Sequence, residues 1–384
     1  MGMNPKDTII LFCNAWCSYL LIKYFKKKKK IDSKFIILFS LLFSTGTGIQ
    51  FYFIGTLLPI LSYILINLLL KKDFFKKNLF SFFFFIEFFL LFFFSMIFLL
   101  LFWPETHSNI FYSPINFIFE NSSIRGWGLN LINGTLININ IDKVPNHYFY
   151  IFFFYQSPEY ILILIILFVL FFIRQKLKKK IFFLNYLKIF FFLVILIYPF
   201  LIVTFFKIKP YDSIRHFIWI IPYFLVIPSI SLFYLIKKKI EYKFLLSFVL
   251  ILKTYYIINF FLLTPYQYSY FNIFVGDNSS KHKKFEVDYW GVSLKELIKN
   301  IDYNYFRDKK LGTCGFNHNL AKDYFIKYHG TSPKFVADEN AAYVIVVNRI
   351  HHNGLKTCDD HVSGEIFMKV KRNNQIFSYI KKNK

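Results

Sequence analysis

Runs of about 20 apolar residues constrain this chain more than any motif in it. A helix of that length crosses a hydrocarbon layer of roughly 30 Å. Leu79–Phe102, Ile181–Phe206 and Phe244–Leu263 are the clearest such runs. A core helix of a soluble domain seldom stays this apolar on every face. With 56% of 384 residues hydrophobic, the chain reads as an integral membrane protein.

The net charge of +25 would suggest nucleic acid in a soluble protein. The positions of the charges argue otherwise. Basic residues gather between the apolar runs, at Lys26–Lys30, Lys71–Lys77, Arg174–Lys180 and Lys237–Lys243. Short basic loops of this kind mark the cytoplasmic face. Membrane lipids, not nucleic acid, are therefore the expected surroundings. Nothing after Thr8–Phe25 resembles a small-residue cleavage site, so that segment reads as a membrane helix and not a leader.

Holding all four basic clusters on one side sets the expected path. Thr8–Phe25 enters from outside, and Phe35–Ser44 with Ile49–Leu70 forms a hairpin broken at Thr45-Gly46-Thr47-Gly48. Leu79–Phe102, Pro158–Ile173, Ile181–Phe206, His216–Leu235 and Phe244–Leu263 complete the spans. The expectation is an all-α polytopic membrane domain of about eight transmembrane helices over residues 1–263, with an exterior loop at 103–157. A small C-terminal α/β domain over 264–384 follows on the exterior (periplasmic) side of a plasma or inner membrane. Val292–Ile301 and Asn319–His329 read as its helices. Leu311–Cys314, Ala342–Asn348, Glu365–Val370 and Gln375–Ile380 read as its strands.

The unusual polar residues collect on the exterior rim. Asn4-Pro5-Lys6-Asp7 suits a helix start, where Asp7 complements the dipole and Pro5 lacks only an N–H that the first turn does not need; capping does not require Lys6, which leaves a functional use open. Lys207, Lys209, Arg215 and His216 place four actual or potential cations in one short exterior stretch, where the charge rule expects few. They suit an anion such as a lipid-linked phosphate, or headgroup anchoring. Thr264–Asn272 and Glu286–Gly291 combine Tyr and Trp with amides and carboxylates, which fits either an interfacial aromatic belt or sugar binding. Glu87 and Lys253 lie inside apolar runs, where charge is costly; they line a cavity or pair with each other. Cys13 and Cys17 share a helix face and read as packing. Cys314 and Cys358 are the disulfide candidates, given an oxidising exterior. A metal site from His351, His352, Cys358 and His361 matches no strong zinc spacing.

In these residues the sequence resembles the membrane glycosyltransferases of the C-type fold, in the branch with the protein O-mannosyltransferases and the aminoarabinose transferase of lipid A. The resemblance rests on Asn4-Pro5-Lys6-Asp7, the Ser44–Gly48 break, Trp103-Pro104, Val144-Pro145-Asn146-His147-Tyr148, Ser157-Pro158-Glu159, Tyr211-Asp212-Ser213-Ile214-Arg215-His216-Phe217, Thr264–Asn272 and Asp288-Tyr289-Trp290-Gly291, in that order. It implies transfer of a sugar from a polyprenyl-phosphate donor to a lipid, glycan or protein acceptor on the exterior face. By the same resemblance, Lys6, Arg215 and His216 would bind the donor phosphate and stabilise charge developing on it. Asp7 would act as acid/base or orient substrate, and Tyr148, Tyr211, Asn272, Asp288, Tyr289 and Trp290 would shape the pocket. No cofactor is specified, and a divalent metal stays an open alternative.

Two departures matter. Thr264 stands where the family pattern has His, and Ser213 where it has Gly. Full-length relatives place further helices and an acidic first loop before this point. The chain thus reads as an amino-terminally shortened member, partnered by a separately encoded amino-terminal part, or as a catalytically inactive lipid-binding or partner-dependent relative. A transporter fits less well, since there is no internal repeat and the ionisable groups sit on one rim and not along a midplane path.

Overall fold

A computed structural model describes residues 5–27, 32–50, 53–70, 82–109, 112–113, 129–138, 145–177, 184–205, 210, 212–238, 240–288, 290–351 and 356–383. Its first two thirds are helical: α1 (Pro5–Lys27), α2 (Ser33–Ile49), α3 (Leu58–Leu70), α4 (Phe82–Phe102), α5 (Tyr148–Gln156), α6 (Glu159–Leu177), α7 (Leu184–Phe205), α8 (Ile221–Lys237) and α9 (Lys243–Leu262). Among the described residues four segments are long and apolar enough to cross a membrane: Lys6–Phe25, Phe85–Phe102, Ser213–Lys237 and Lys243–Leu262. α5 and α6 together reach that length and apolarity but are bent by 113° at Ser157-Pro158, the shape of a broken span or a re-entrant loop. α2, α3 and part of α7 are shorter apolar helices.

Side-chain hydrogen bonds link the helices of this part, a contact type compatible with an apolar medium, where they and close backbones replace the hydrophobic drive. The Ser40 hydroxyl donates to the Leu91 carbonyl at 3.1 Å, and Ser44 to the Ser95 carbonyl at 2.7 Å, tying α2 to α4. Asn14 of α1 donates to the carbonyl and hydroxyl of Thr56, and Ser18 meets the Tyr223 hydroxyl at 2.6 Å. Phe85, Phe88, Phe89, Phe92 and Phe93 of α4 are exposed, an apolar stripe of the kind that faces lipid.

Three expectations are revised here. α2 runs through Thr45–Gly48 and ends at Ile49, capped by Gln50. Gly46 serves close packing instead, because a Cβ there would lie 2.7 Å from the Phe53 ring. The loop before Ser157 contains α5, and also a hairpin, β1 (Leu129–Ile132) with β2 (Thr135–Asn138), turned by Asn133 and Gly134 at φ 49° and 85°. Glu87 takes a hydrogen bond from Tyr24, whereas Lys253 is exposed on α9; they form no pair with each other.

The C-terminal third carries β3 (Lys310–Cys314), β4 (Lys334–Phe335), β5 (Tyr343–Val347), β6 (Glu365–Arg372) and β7 (Gln375–Lys382), with α10 (Leu294–Lys299) and α11 (His318–His329). The sheet order is β4-β3-β5-β7-β6, with β4, β3 and β5 parallel and β7 and β6 antiparallel. β5 is buried along its whole length, as a central strand covered on both faces must be. Tyr343 and Ile345 face one core, which continues into the helical part, while Val344 and Val346 face a second with Cys314, Cys358 and Tyr379. Cys314 and Cys358 are disulfide-bonded, with Cα atoms 5.7 Å apart; Cys13 and Cys17 are free and buried.

Candidate functional site

The turn between α5 and α6 joins helices to sheet. Asn272 donates its side-chain amide to the carbonyls of Phe154 (2.6 Å) and Ser157 (3.0 Å), and its backbone amide to Tyr155. Glu159 accepts from the Tyr270 hydroxyl and the Ile273 amide, both at 3.0 Å. Removing either side chain leaves buried backbone groups unmatched, which is costly. Asn272 is therefore a tie between the two parts of the chain.

Beside this tie lies a closed chain of charges. Arg215 reaches Asp7 through Nε at 3.1 Å and Asp212 through Nη1 at 2.8 Å. Arg349, just past β5, takes the other oxygen of Asp212 at 3.2 Å and Glu286 at 3.5 Å. Asp212 also accepts a hydrogen bond from Trp290, whose ring lies 5.5 Å from the Arg215 guanidinium carbon, within cation–π range. Three carboxylates thus meet two guanidiniums, and each of these side chains is at most 14% exposed. Burial pushes the Glu286 carboxyl up to about 7, against the pull of Arg349 and with a push from Asp212. Burial also raises Asp212, opposed by Arg349 and Arg215.

Local backbone geometry places Asp212. Asp212 and Ser213 both sit in the left-handed region, at φ 54° and 71°, immediately before a 3₁₀ stretch, Ser213–Ile220, that leads into α8. The Tyr148 hydroxyl donates to the Ser213 carbonyl at 3.2 Å. The Ser213 hydroxyl donates to Gln156.

The residues singled out from sequence divide accordingly. Asp7, Arg215 and Trp290 come together across more than two hundred positions. Lys6 is exposed at the start of α1, and His216 follows Arg215 on the same 3₁₀ stretch, its carbonyl accepting from the Trp219 indole. Tyr148 is fully buried and fixes the Ser213 turn. Asp288, also fully buried, accepts from Tyr268, the Val292 and Ser293 amides and the Ser293 hydroxyl; burial lifts its carboxyl to about 6, against those hydrogen bonds. It organises the turn into α10. Tyr211, Tyr289 and His352 lie outside the described residues. A separate cleft of about 200 Å³ lies between α9 and residues 270–281, and none of the Arg215 cluster lines it.

Sequence alone assigns no role to Arg349, and to Glu286 only a place in the aromatic stretch before Gly291. One signal is present: only six of the 47 basic residues are arginine. In a lysine-dominated chain, a guanidinium marks places that need a planar fork. Arg174, Arg215, Arg349 and Arg372 all form ion pairs.

No family model matches the chain, and no curated protein or solved structure matches it either.

Proposed function

We propose that this chain is a membrane glycosyltransferase of the C-type fold, or the carboxyl-terminal part of one, which moves a sugar from a polyprenyl-phosphate donor to a lipid, glycan or protein acceptor on the exterior face. One observation carries the reading. Asp7 at the start of α1, Arg215 at the start of the α8 span and Trp290 in the C-terminal third meet at one place, and these are residues of three of the sequence phrases that resemble that family. Aromatic rings beside a cation and a carboxylate suit a sugar phosphate. The guanidinium stabilises charge developing on the leaving phosphate, and a carboxylate takes the acceptor proton. Asp7 is the carboxylate assigned to that role, with Lys6 and His216 beside Arg215 for the phosphate.

A second reading draws on the charge balance. Arg215 is already held by two carboxylates, so a phosphate must displace one of them. That suits a relative that binds polyprenyl lipid, or a separately encoded amino-terminal part, without catalysing transfer.

The test uses the full chain in liposomes with a radiolabelled polyprenyl-phosphate sugar. Saturable binding that falls at least tenfold in Arg215→Lys and in Lys6→Ala supports the shared site. Arg215→Lys keeps the charge while removing the fork, and an unchanged urea midpoint for the variant checks that the fold is kept. Label transfer to an acceptor separates the enzyme from the binding relative. Equal binding by wild type and both variants would overturn both readings.

A further inference from the structure

The carboxyl ends of the parallel strands hold a second cluster that the proposed transfer does not use. Asp338 lies three residues after β4, His351 follows β5, and His361 ends the short helix Cys358–His361. Ligand sites of open α/β sheets lie in the crevice outside those strand ends. The His351 and His361 Nε2 atoms lie 3.4 and 3.1 Å from the same oxygen, Oδ2 of Asp338. The two imidazoles stack with centroids 3.7 Å apart. Gly312 of β3 makes this approach possible, since a Cβ there would lie 2.7 Å from the Asp338 Cα.

We propose that Asp338, His351 and His361 form a binding site for a divalent transition-metal ion, with Zn²⁺ as the reference ion. Bonds of about 2.0–2.1 Å at tetrahedral angles put neighbouring ligand atoms about 3.3–3.4 Å apart, close to the two Asp338–imidazole separations observed, and a shared ion requires the stacked rings to turn until both Nε2 lone pairs converge on it. Two imidazoles and one carboxylate are a borderline donor set suited to Zn²⁺, Ni²⁺ or Cu²⁺ and not to Ca²⁺ or Mg²⁺. Three protein ligands leave a position for water. The His351 side chain is only 5% exposed and that of Asp338 14%, which holds them in place, while His361 at 22% gives solvent a route in. The site differs from the spacing-based set. Cys358 is committed to the disulfide, and Asp338, invisible to a His/Cys search, supplies the shared oxygen.

The experiment is calorimetric titration of ZnCl₂ into the full chain, purified in detergent through a tag without histidine and stripped with chelator. The expected result is one ion per chain at a dissociation constant of about 10 µM or tighter. Losing one ligand should weaken it at least as much as losing an outer-shell partner does, about 10-fold or more, in His361→Gln and in Asp338→Asn. Both replacements keep size and hydrogen-bonding capacity, and the retained disulfide reports the fold. Electron paramagnetic resonance of the Cu²⁺ form should show two nitrogen donors, falling to one in His361→Gln. Absence of saturable binding below about 100 µM, or unchanged affinity and nitrogen count in the variants, would overturn the site and leave the cluster a stacked pair of histidines beside a carboxylate. Neither result bears on polyprenyl-phosphate binding, so this site and the transferase reading fail separately.

Discussion

Replacing Glu286 with Gln tests the charge chain at its most sensitive point. A carboxyl held at about 7 in the fold, against an ordinary value of 4.5, binds its proton more tightly folded than unfolded. Between those two pH values the folded state carries the extra proton, so stability falls as pH rises. At roughly 1.4 kcal/mol per pH unit, ionised Glu286 costs the fold about 3 kcal/mol once the pH passes 7. The physical cause is burial, which strips water from the carboxylate, with a smaller push from Asp212 that Arg349 opposes. The glutamine side chain of Glu286→Gln keeps an oxygen for the Ile350 amide, which lies 3.3 Å from Oε1 of the native residue, and Arg349 keeps Asp212. The variant should therefore match wild type near pH 4.5 and exceed it by up to about 3 kcal/mol at pH 8. Urea unfolding of the full chain in detergent, repeated across that range, gives the difference curve; Asp288 and other titrating groups cancel from it. A Glu286→Gln variant less stable than wild type at pH 8 would refute the reasoning, because Glu286 would then be a favourable ionised partner of Arg349.

Two other outcomes follow from packing and connectivity. Cys314→Ala with Cys358→Ala opens a loop with a sequence separation of 44, which should lower stability by about 4 kcal/mol on the chain-entropy scale, seen as a lower urea midpoint; a loss under about 1 kcal/mol would count against it. Gly46→Ala drives a methyl into the buried Phe53 ring and should cost about 1–3 kcal/mol, whereas Gly48→Ala, whose nearest neighbour is 3.8 Å away, should cost less than half as much in the same urea assay.

What could be read from the sequence was set by the range of each interaction. Long apolar runs declare themselves by length, and the short β-branched run at Tyr343–Val347 declares a buried strand. Tyr148–Gln156 escaped because a helix of nine residues falls short of a span, and only tertiary contacts turn it by 113° into α6. The glycines at 46 and 48 look like a helix break, but a glycine inside a helix also permits a neighbour to approach, and the sequence does not say which use applies. The Asn133-Gly134 pair is a strong hairpin signal that the loop assignment passed over. In the site, Asp7, Arg215 and Trp290 were visible as parts of phrases. Arg349 pairs with Asp212 across 137 positions, and no local pattern announces such a partner.

The backbone at Asp212 and Ser213 bears on whether this junction is more than a structural tie. Two successive non-glycine residues in the left-handed region cost of order 1–3 kcal/mol each, and the surrounding contacts must over-determine them. They do: Tyr148 holds the Ser213 carbonyl, Gln156 holds its hydroxyl, and two arginines hold Asp212. A tie between helices and sheet needs none of this, because Asn272 and Glu159 already supply one with ordinary geometry. The strain buys one specific thing, a carboxylate aimed at Arg215 and Arg349 together, at the only place among the described residues where Arg215 also meets Asp7 and Trp290. Strain and buried charge concentrated in the same few residues are what a binding site costs a fold, and this favours the proposal that Arg215 recognises a phosphate.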